Sequence, residues 1–341
     1  MSTTRLYQAR YGLFAHYASD ACIGASLDHY GEWAEGEIHE LSRYVSPGSV
    51  VLDIGANVGT HTVALARLVG EAGFVIAVEA QPEIYQLLST NIVLNQVQDR
   101  AIALNNLAGS RPDIIEYTAS PDKAVENFGA VSFAQDRATV VAERKVMTRL
   151  PMIRIDDMGL TRCDLIKIDV EGMEIDVLRG ARDVLSAFRP VVYFEQRSAA
   201  HFAEIFDLLA EFGYRMYWHV CNPFNTNNFK GSNLNIFGGA TELNVLCLPH
   251  EKGALLHMPQ IMTGEFAPPT IALDEGLMGE AVPPTNLPSP PAIVSLGGGG
   301  AADQLLVDLK AVLADRAVAQ QIMESQQTII DAVRRAVLPA T

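Results

Sequence analysis

One stretch constrains this chain more than any other: Ser49-Val50-Val51-Leu52-Asp53-Ile54-Gly55-Ala56-Asn57-Val58-Gly59-Thr60-His61-Thr62. It opens as a short apolar run rich in β-branched residues, the pattern of a buried strand. Gly55 ends the run, Gly59 follows four residues on, and Thr60 to Leu68 carry helical spacing. Strand, glycine turn and helix open a doubly wound α/β sheet, in which ligands sit at the carboxyl ends of the strands. Glycine suits such a turn because a Cβ would hold the backbone away from the ligand.

The loop narrows the choice of ligand. A dinucleotide fingerprint needs G-x-G-x-x-G, with a pyrophosphate on the helix N-terminus. Here the loop reads G-x-x-x-G, with Asp53 two residues before the first glycine, and no Gly-Lys-Ser/Thr follows to make a phosphate loop. An acid before a two-glycine turn suits S-adenosylmethionine, which carries a cationic sulfonium and amino group and no phosphate. Such a site needs a second acid at the end of the next strand, to accept from the ribose hydroxyls. Phe74-Val75-Ile76-Ala77-Val78-Glu79 supplies it at Glu79. The bland alternative is an ordinary tight strand–helix turn.

Further along, Pro82 to Leu94 reads as a helix with Pro82 near its start and Ile84, Leu87, Leu88, Ile92 and Val93 on its buried side. Ala101 to Asn106 reads as the third strand, and residues 110 to 150 as a short edge hairpin with loops. Asp164-Leu165-Ile166-Lys167-Ile168-Asp169-Val170-Glu171-Gly172 is a buried strand ending in acids, followed by one helix running towards Leu185. Lys167 inside it is costly unless paired, so a nearby carboxylate is expected. Pro190 to Glu195 is the next strand, again ending in an acid. Asp169, Glu171 and Glu195 are thus expected together at the carboxyl ends of two adjacent strands, where this architecture puts function. Their alternative role is to cap helix N-termini. A helix over His201 to Phe212 and strands over Tyr214 to Val220 and Glu242 to Leu248 complete the pattern.

Composition removes several partner classes. The 341 residues carry a formal net charge of −15, which argues against nucleic acid, because phosphate contacts need clustered Lys and Arg. Cys22, Cys163, Cys221 and Cys247 form no C-x-x-C pair and read as free thiols in a reducing compartment. No apolar stretch reaches membrane-spanning length and no signal core is present, so a cytoplasmic location is expected.

Two other segments have a possible role in binding. In the lead-in over residues 1 to 48, Glu37 to Val45 reads as a short helix, and Glu32 and Trp33 are placed to close over a cofactor or acceptor, or simply to cap and pack. Between the last two strands lies Asn222-Pro223-Phe224-Asn225-Thr226-Asn227-Asn228-Phe229-Lys230-Gly231-Ser232-Asn233. Its interleaved amides and aromatic rings suit a sugar, and equally a polar surface loop.

Taken together, Val51 to Gly59, Glu79, Asn91 with Leu94-Asn95, Asn106-Leu107-Ala108-Gly109, Ile155-Asp156-Asp157, Lys167-Ile168-Asp169 with Glu171-Gly172, and Pro190 to Glu195 resemble the FkbM-type methyltransferases over roughly residues 30 to 250. The family's Leu-Asp-Asp element stands here as Ile155-Asp156-Asp157, and its aromatic residue after the second glycine is replaced by Thr60-His61. The resemblance implies a class I, Rossmann-like, mostly parallel seven-stranded sheet and an S-adenosylmethionine-dependent O-methyltransferase. It implies acceptors that are hydroxyls of sugars, polyketides and other glycosylated metabolites. It also puts Asn106 against the adenine.

On this reading Gly55, Asn57 and Gly59 hold the methionine end with Asp53, Glu79 holds the ribose, and Asp169 meets the cofactor amino group or the acceptor. Glu171 and Glu195 are the candidate general bases, with His219 as runner-up. A divalent metal on Asp169, Glu195 and Asn222 is the competing account. The metal-free version is preferred, because the sequence shows no tight carboxylate spacing. Other function classes are a nicotinamide-dependent oxidoreductase, disfavoured by the missing third glycine, and a non-catalytic cofactor-binding module. Residues 251 to 300, with Pro268-Pro269, Pro283-Pro284, Pro290-Pro291 and Gly297 to Gly300, read as a linker. Beyond it, apolar residues from Leu305 to Val337 are spaced alternately four and three apart. That is a heptad seam interrupted at Arg316 and Gln326, expected to self-associate or to take a partner helix.

Overall fold

The computed structural model describes residues 4–119, 146–196, 199–264 and 266, so the C-terminal seam and most of the linker lie outside the described residues. The chain opens with a hairpin, β1 (Thr4–Ala9) and β2 (Gly12–Tyr17), where the sequence suggested only a mixed lead-in. Helices α1 (Ile23–Tyr30) and α2 (Glu35–Leu41) follow. The hairpin is held from a distance. Asn91 uses its side-chain amide as a peptide group would, accepting from the Ala15 N–H at 2.7 Å and donating to the Ala15 carbonyl at 3.0 Å. Asn95 treats Leu13 in the same way, at 2.9 and 2.8 Å.

The main sheet is built from alternating strands and helices: β3 (Val50–Ile54), α3 (Thr60–Val69), β4 (Phe74–Val78), α4 (Pro82–Leu94) and β5 (Ala101–Leu104). A small three-stranded sheet comes next, from β6 (Leu107–Ala108), β7 (Asp113–Ala119) and β8 (Val146–Ile153). Then come β9 (Leu165–Ile168), α5 (Glu174–Arg179), α6 (Arg182–Phe188), β10 (Val191–Glu195), α7 (Ala199–Glu211), β11 (Tyr214–Cys221) and β12 (Glu242–Pro249). The seven strands lie in the order β11-β12-β10-β9-β3-β4-β5. All neighbours from β10 to β5 pair in parallel, and β12 runs antiparallel to both β10 and β11. This is the class I, Rossmann-like sheet. Its central strands are largely apolar because both faces must be covered, with Asp53 and Lys167 as buried exceptions. The connections leave in opposite directions on either side of β3 and β9, so the switch point lies between these two strands.

Several local expectations change. Val93 on α4 is 56% exposed, while Ile84, Leu87, Leu88 and Ile92 are buried as expected. The single helix expected after Gly172 is two helices, broken at Gly180–Ala181. A Cβ on Gly180 would lie 2.1 Å from the Gly109 carbonyl oxygen, so the break is where two backbones meet. Asp156 then caps the second helix, its Oδ1 accepting from the Asp183 and Val184 N–H groups at 3.1 Å each. The linker also begins later than residue 251. Residues 259–261 lie along the edge strand β11, with the Trp218 N–H donating to Pro259 and the Ile261 N–H to Met216. Ile261 is buried, and Phe266 packs edge-on against Phe202.

The two loop glycines serve different needs. Gly55 has φ +81°, and a Cβ there would sit 1.8 Å from the Asp169 carbonyl oxygen. The close approach is therefore to the neighbouring strand end rather than to a ligand. Gly59 has φ +91°, and its Cβ would meet only the end of the Leu88 side chain, at 2.7 Å. Gly55→Ala should destabilise the protein by roughly 3 kcal/mol or more, because backbone cannot yield. Gly59→Ala should cost about 1–2 kcal/mol, because a leucine rotamer can. Urea unfolding of the two variants checks the order, and equal losses would contradict it.

Candidate active site

A cleft opens at the carboxyl ends of β3, β4, β9 and β10, floored by the switch point. Gly55, Asn57, Glu79, Asn106, Asp169, Glu171 and Glu195, all singled out from the sequence, line it together. Trp33, Cys22 and Ile23 wall it from the N-terminal segment.

One end is a backbone-rich cradle. Asn57 sits in the left-handed region, with φ +49°, so its N–H turns towards β4. That N–H donates to Glu79 Oε2 at 2.9 Å, and the Gln81 N–H donates to Glu79 Oε1 at 2.8 Å. Both carboxylate oxygens are thereby fixed while the group still faces the cleft. Asn106 also faces the cleft, anchored by its Nδ2 donating to the Pro151 carbonyl at 3.2 Å. Two loop residues stand outside the wall. Asp53 is fully buried behind it, accepting from Thr62 Oγ1 at 2.6 Å with Lys167 Nζ 3.9 Å away. Gly59 starts α3 and packs on Leu88. Neither lines the cleft as the sequence leads one to expect: strand alternation turns the Asp53 side chain under the sheet edge, and Gly59 caps α3.

At the other end, oxygens of Asp169, Glu171 and Glu195 lie within 4.8 Å of one another. Parallel pairing of β9 with β10 makes this cluster, bringing in Glu195 from beyond α5 and α6. The spacing corrects the ground on which the metal-free account was preferred, because three carboxylates this close offer a divalent cation its oxygens. Asn222 does not join them. It is absent from the cleft wall, and its Oδ1 accepts from the Phe224 N–H at 2.7 Å. Glu171 holds φ +53°, a rare conformation for a residue with a side chain, at the heart of the cluster.

Behind the cluster a small recess is lined by Trp33, Glu37, Lys167, Tyr193, Glu242 and Asn244, and shares Trp33, Asp169, Glu195 and Glu242 with the cleft. Lys167 is buried there, its Nζ 3.4 Å from Asp169 and 3.9 Å from Asp53, so the carboxylate partners expected for it are present. Burial pushes its pKa down, but the charges of Asp169, Asp53 and Glu37 outweigh that and raise it. Glu37 accepts from Asn244 Nδ2 at 2.9 Å and faces His61 Nε2 at 3.2 Å. Burial works against its charge, yet His61 and Lys167 hold its carboxyl low. Glu242, beside it, is pushed well up by burial and by the Glu37 charge.

Sequence reasoning missed Glu37 and Glu242. Trp33 lines the wall, in keeping with one of the two roles its sequence leaves open, while Glu32 is elsewhere. Glu32 ties the hairpin to the asparagine-rich loop, accepting from Arg10 Nε, Asn225 Nδ2 and the Phe229 N–H at 2.8, 2.9 and 2.8 Å. The loop amides are likewise used internally. Asn228 Nδ2 donates to Asn225 and Ser232 carbonyls, and Asn235 Nδ2 to Gly238. Of the two readings the sequence leaves open, these bonds favour the polar surface loop, and just beyond it Phe237 packs edge-on against Trp33 at 5.9 Å. His219 is also off the wall, its Nδ1 2.7 Å from the Tyr193 hydroxyl, with its pKa lowered by burial. Tyr193, its hydrogen-bond partner, stands between it and the recess, so Glu171 and Glu195 are better placed as bases.

Burial raises the Glu79 carboxyl from 4.5 to about 7, against the opposing pull of the Gln81 and Asn57 N–H groups and with help from the Asp169 and Asp53 charges. Between those values the folded state holds a proton that the unfolded state has lost, so stability falls as pH rises through that window. Glu79→Gln removes this titration. The stability of Glu79→Gln relative to the parent should improve between pH 4.5 and about 7, by on the order of 2–3 kcal/mol. Urea unfolding of the unliganded proteins across that range checks it, and a pH-independent difference would contradict it.

Comparison with known proteins gives one family match and distant relatives. The family model for the methyltransferase FkbM domain matches residues 53–216. A curated Sordaria araneosa protein, Methyltransferase sdnD, is 27% identical over 154 residues, covering 38% of this chain and 59% of that protein. The AMB antimetabolite synthetase AmbE of Pseudomonas aeruginosa is 28% identical over 179 residues, 43% of this chain and 8% of that protein. The chain thus spans less than two thirds of the length of either relative. A crystal structure of a methyltransferase FkbM from Methylobacillus flagellatus KT shares 16% identity, with a TM-score of 0.37 over 59% of this chain and 44% of that one. Residues 53–216 of this chain are similar to the methyltransferase FkbM domain.

Proposed function

We propose that the chain transfers the methyl group of S-adenosylmethionine to a hydroxyl of a sugar, a glycan or a glycosylated metabolite. The observation that carries this reading is the meeting, in one cleft, of the Asn57–Glu79 cradle with the carboxylates of Asp169, Glu171 and Glu195. The cradle fits the cofactor. Glu79 would present its fixed carboxyl to a ribose diol, Gly55 and Asn57 would offer backbone to the methionine end, and Asn106, which the family resemblance puts against the adenine, lines the same cleft. The four cysteines are free thiols, which suits a reducing, cytoplasmic location. No helix among the described residues is long and apolar enough to cross a membrane.

The cofactor supplies an electrophilic methyl group. The chain's task is to hold the acceptor oxygen in line with it and to take the hydroxyl proton. As the new oxygen–carbon bond would form, the methyl–sulfur bond would break to release S-adenosylhomocysteine, and the hydroxyl proton would pass to a carboxylate. Glu195 and Glu171 are the two candidates, being on the wall and within reach of one point. Asp169, held by Lys167, orients the acceptor or the cofactor amine.

Glu171→Gln and Glu195→Gln should leave S-adenosylhomocysteine binding nearly unchanged, and at least one should cut turnover by roughly a hundredfold. Calorimetry and turnover of the methyl donor against an acceptor library measure the two effects. Full turnover in both variants would sink the general-base role. Activity abolished by EDTA and restored by Mg²⁺ would assign the cluster to a metal instead.

A further inference from the structure

Among the described residues, Trp33 is the only aromatic side chain on the wall of the cleft. It comes from the segment that precedes the matched residues 53–216, so it is an addition to that domain. Trp33 also lines the recess, with Asp169, Glu195 and Glu242, whereas Glu79 and Asn106 line the cleft alone. The ring therefore stands on the side of β9, β10 and β12, away from the cradle that Glu79 and Asn57 make on β3 and β4.

The ring is held rigidly. Phe237 packs edge-on behind it at 5.9 Å, and Tyr30 backs Phe237 at 6.0 Å. Both chain neighbours of Trp33 are pinned. The Glu32 carbonyl accepts from Ser26 Oγ at 2.6 Å, besides the three bonds to its carboxylate. Ala34 has φ +47°, and its carbonyl accepts from the Glu37 N–H at 2.9 Å. A residue with a Cβ keeps such a conformation only where its surroundings impose it, and ligand clamps are among the places where this occurs. The indole nitrogen supplies an independent observation. Trp33 is only 9% exposed, and a buried indole N–H usually has an acceptor. Among the described residues nothing accepts from this one, and it is not one of the sealed unpaired atoms, so it stays open to the space the ring lines. Asp169, Glu171 and Glu195 beside it take hydrogen bonds from hydroxyls, and the indole can give one back. A sugar ring matches that combination, having hydroxyls and oxygens at its rim and a flat face of C–H groups.

We infer that Trp33 selects the acceptor: its ring takes the C–H face of a pyranose, and its N–H donates to an oxygen at the rim of that pyranose. The inference rests on the methyltransferase reading and names the residue that discriminates among its acceptors.

The chain holds two tryptophans, and Trp218 is stacked on Phe202 at 5.2 Å, off the cleft wall, so Trp218→Phe leaves Trp33 as the sole indole. In that full-length variant, saturated with S-adenosylhomocysteine, Trp33 emission should shift on titration with at least one of methyl glucoside, methyl galactoside and methyl mannoside. Sorbitol, which has the hydroxyls and no ring face, should act about tenfold more weakly or not at all. Calorimetry on the full chain then measures the contribution of the ring. Trp33→Phe, which keeps a ring and loses the N–H, should weaken the best of these glycosides about threefold, and Trp33→Ala about tenfold or more. S-adenosylhomocysteine affinity should hold in both. Should Trp33→Ala not fold, the emission titration and Trp33→Phe decide the matter. The inference is overturned if no glycoside moves the emission, if sorbitol binds as well as the glycosides, or if the Trp33 variants keep full affinity. It is overturned too if those variants lose S-adenosylhomocysteine affinity to the same degree, because the ring then serves the cofactor or the wall itself. Failure of the unaltered chain to bind S-adenosylhomocysteine would instead defeat the methyltransferase reading.

Discussion

A buried ammonium ion organises this molecule. Lys167 stands opposite Asp53 in the β3–β9 ladder and opposite Tyr193 in the β9–β10 ladder, with both faces of the sheet covered. In such a place a lysine is tolerated only if carboxylates surround it. Asp53 comes from β3, Asp169 from the end of β9 and Glu37 from α2, so one charge draws three separate parts of the chain to the switch point. Thr62 binds Asp53 and thereby ties the first turn of α3 to the same centre. The Gly55 turn, pressed against the Asp169 carbonyl, has its position decided by that arrangement as much as by any ligand.

The cleft follows from it. Asp169 faces Lys167 on one side and the solvent-facing cluster on the other. Glu37 reaches Lys167 from α2 and carries with it the N-terminal segment, whose Trp33 walls the cleft. His61 faces Glu37 from α3, and Asn244 donates to it from β12. The cofactor cradle and the acid-lined inner half are thus two outlets of one buried electrostatic network.

Much of this was legible in the sequence, for identifiable reasons. Central parallel strands are apolar on both faces, so Val50–Ile54, Phe74–Val78 and Leu165–Ile168 stand out as runs, and the acids that end such runs fall where the sheet places ligands. Glu79, Asp169 and Glu195 were found in this way. What stayed hidden depends on contacts remote in the chain. The β1–β2 hairpin has a mixed burial pattern, and its anchors are two asparagines on α4. Glu242 begins a strand and looks unremarkable until antiparallel pairing brings that beginning to the carboxyl edge of its neighbours. Asp53 was placed on the wrong side of the wall because its loop was read as a motif, without the alternation that turns its side chain under the edge. For the asparagine-rich loop the sequence leaves two readings open. Amides in a turn satisfy their own backbone first.

The central claim is that this switch point holds S-adenosylmethionine through Glu79 and not a nicotinamide dinucleotide. Calorimetric titration of the full chain and of Glu79→Ala with S-adenosylhomocysteine and with NAD tests it most directly. The account predicts single-site binding of S-adenosylhomocysteine, weakened about tenfold or more in Glu79→Ala, and no heat with NAD. Binding of NAD, or S-adenosylhomocysteine affinity unchanged by Glu79→Ala, would contradict it.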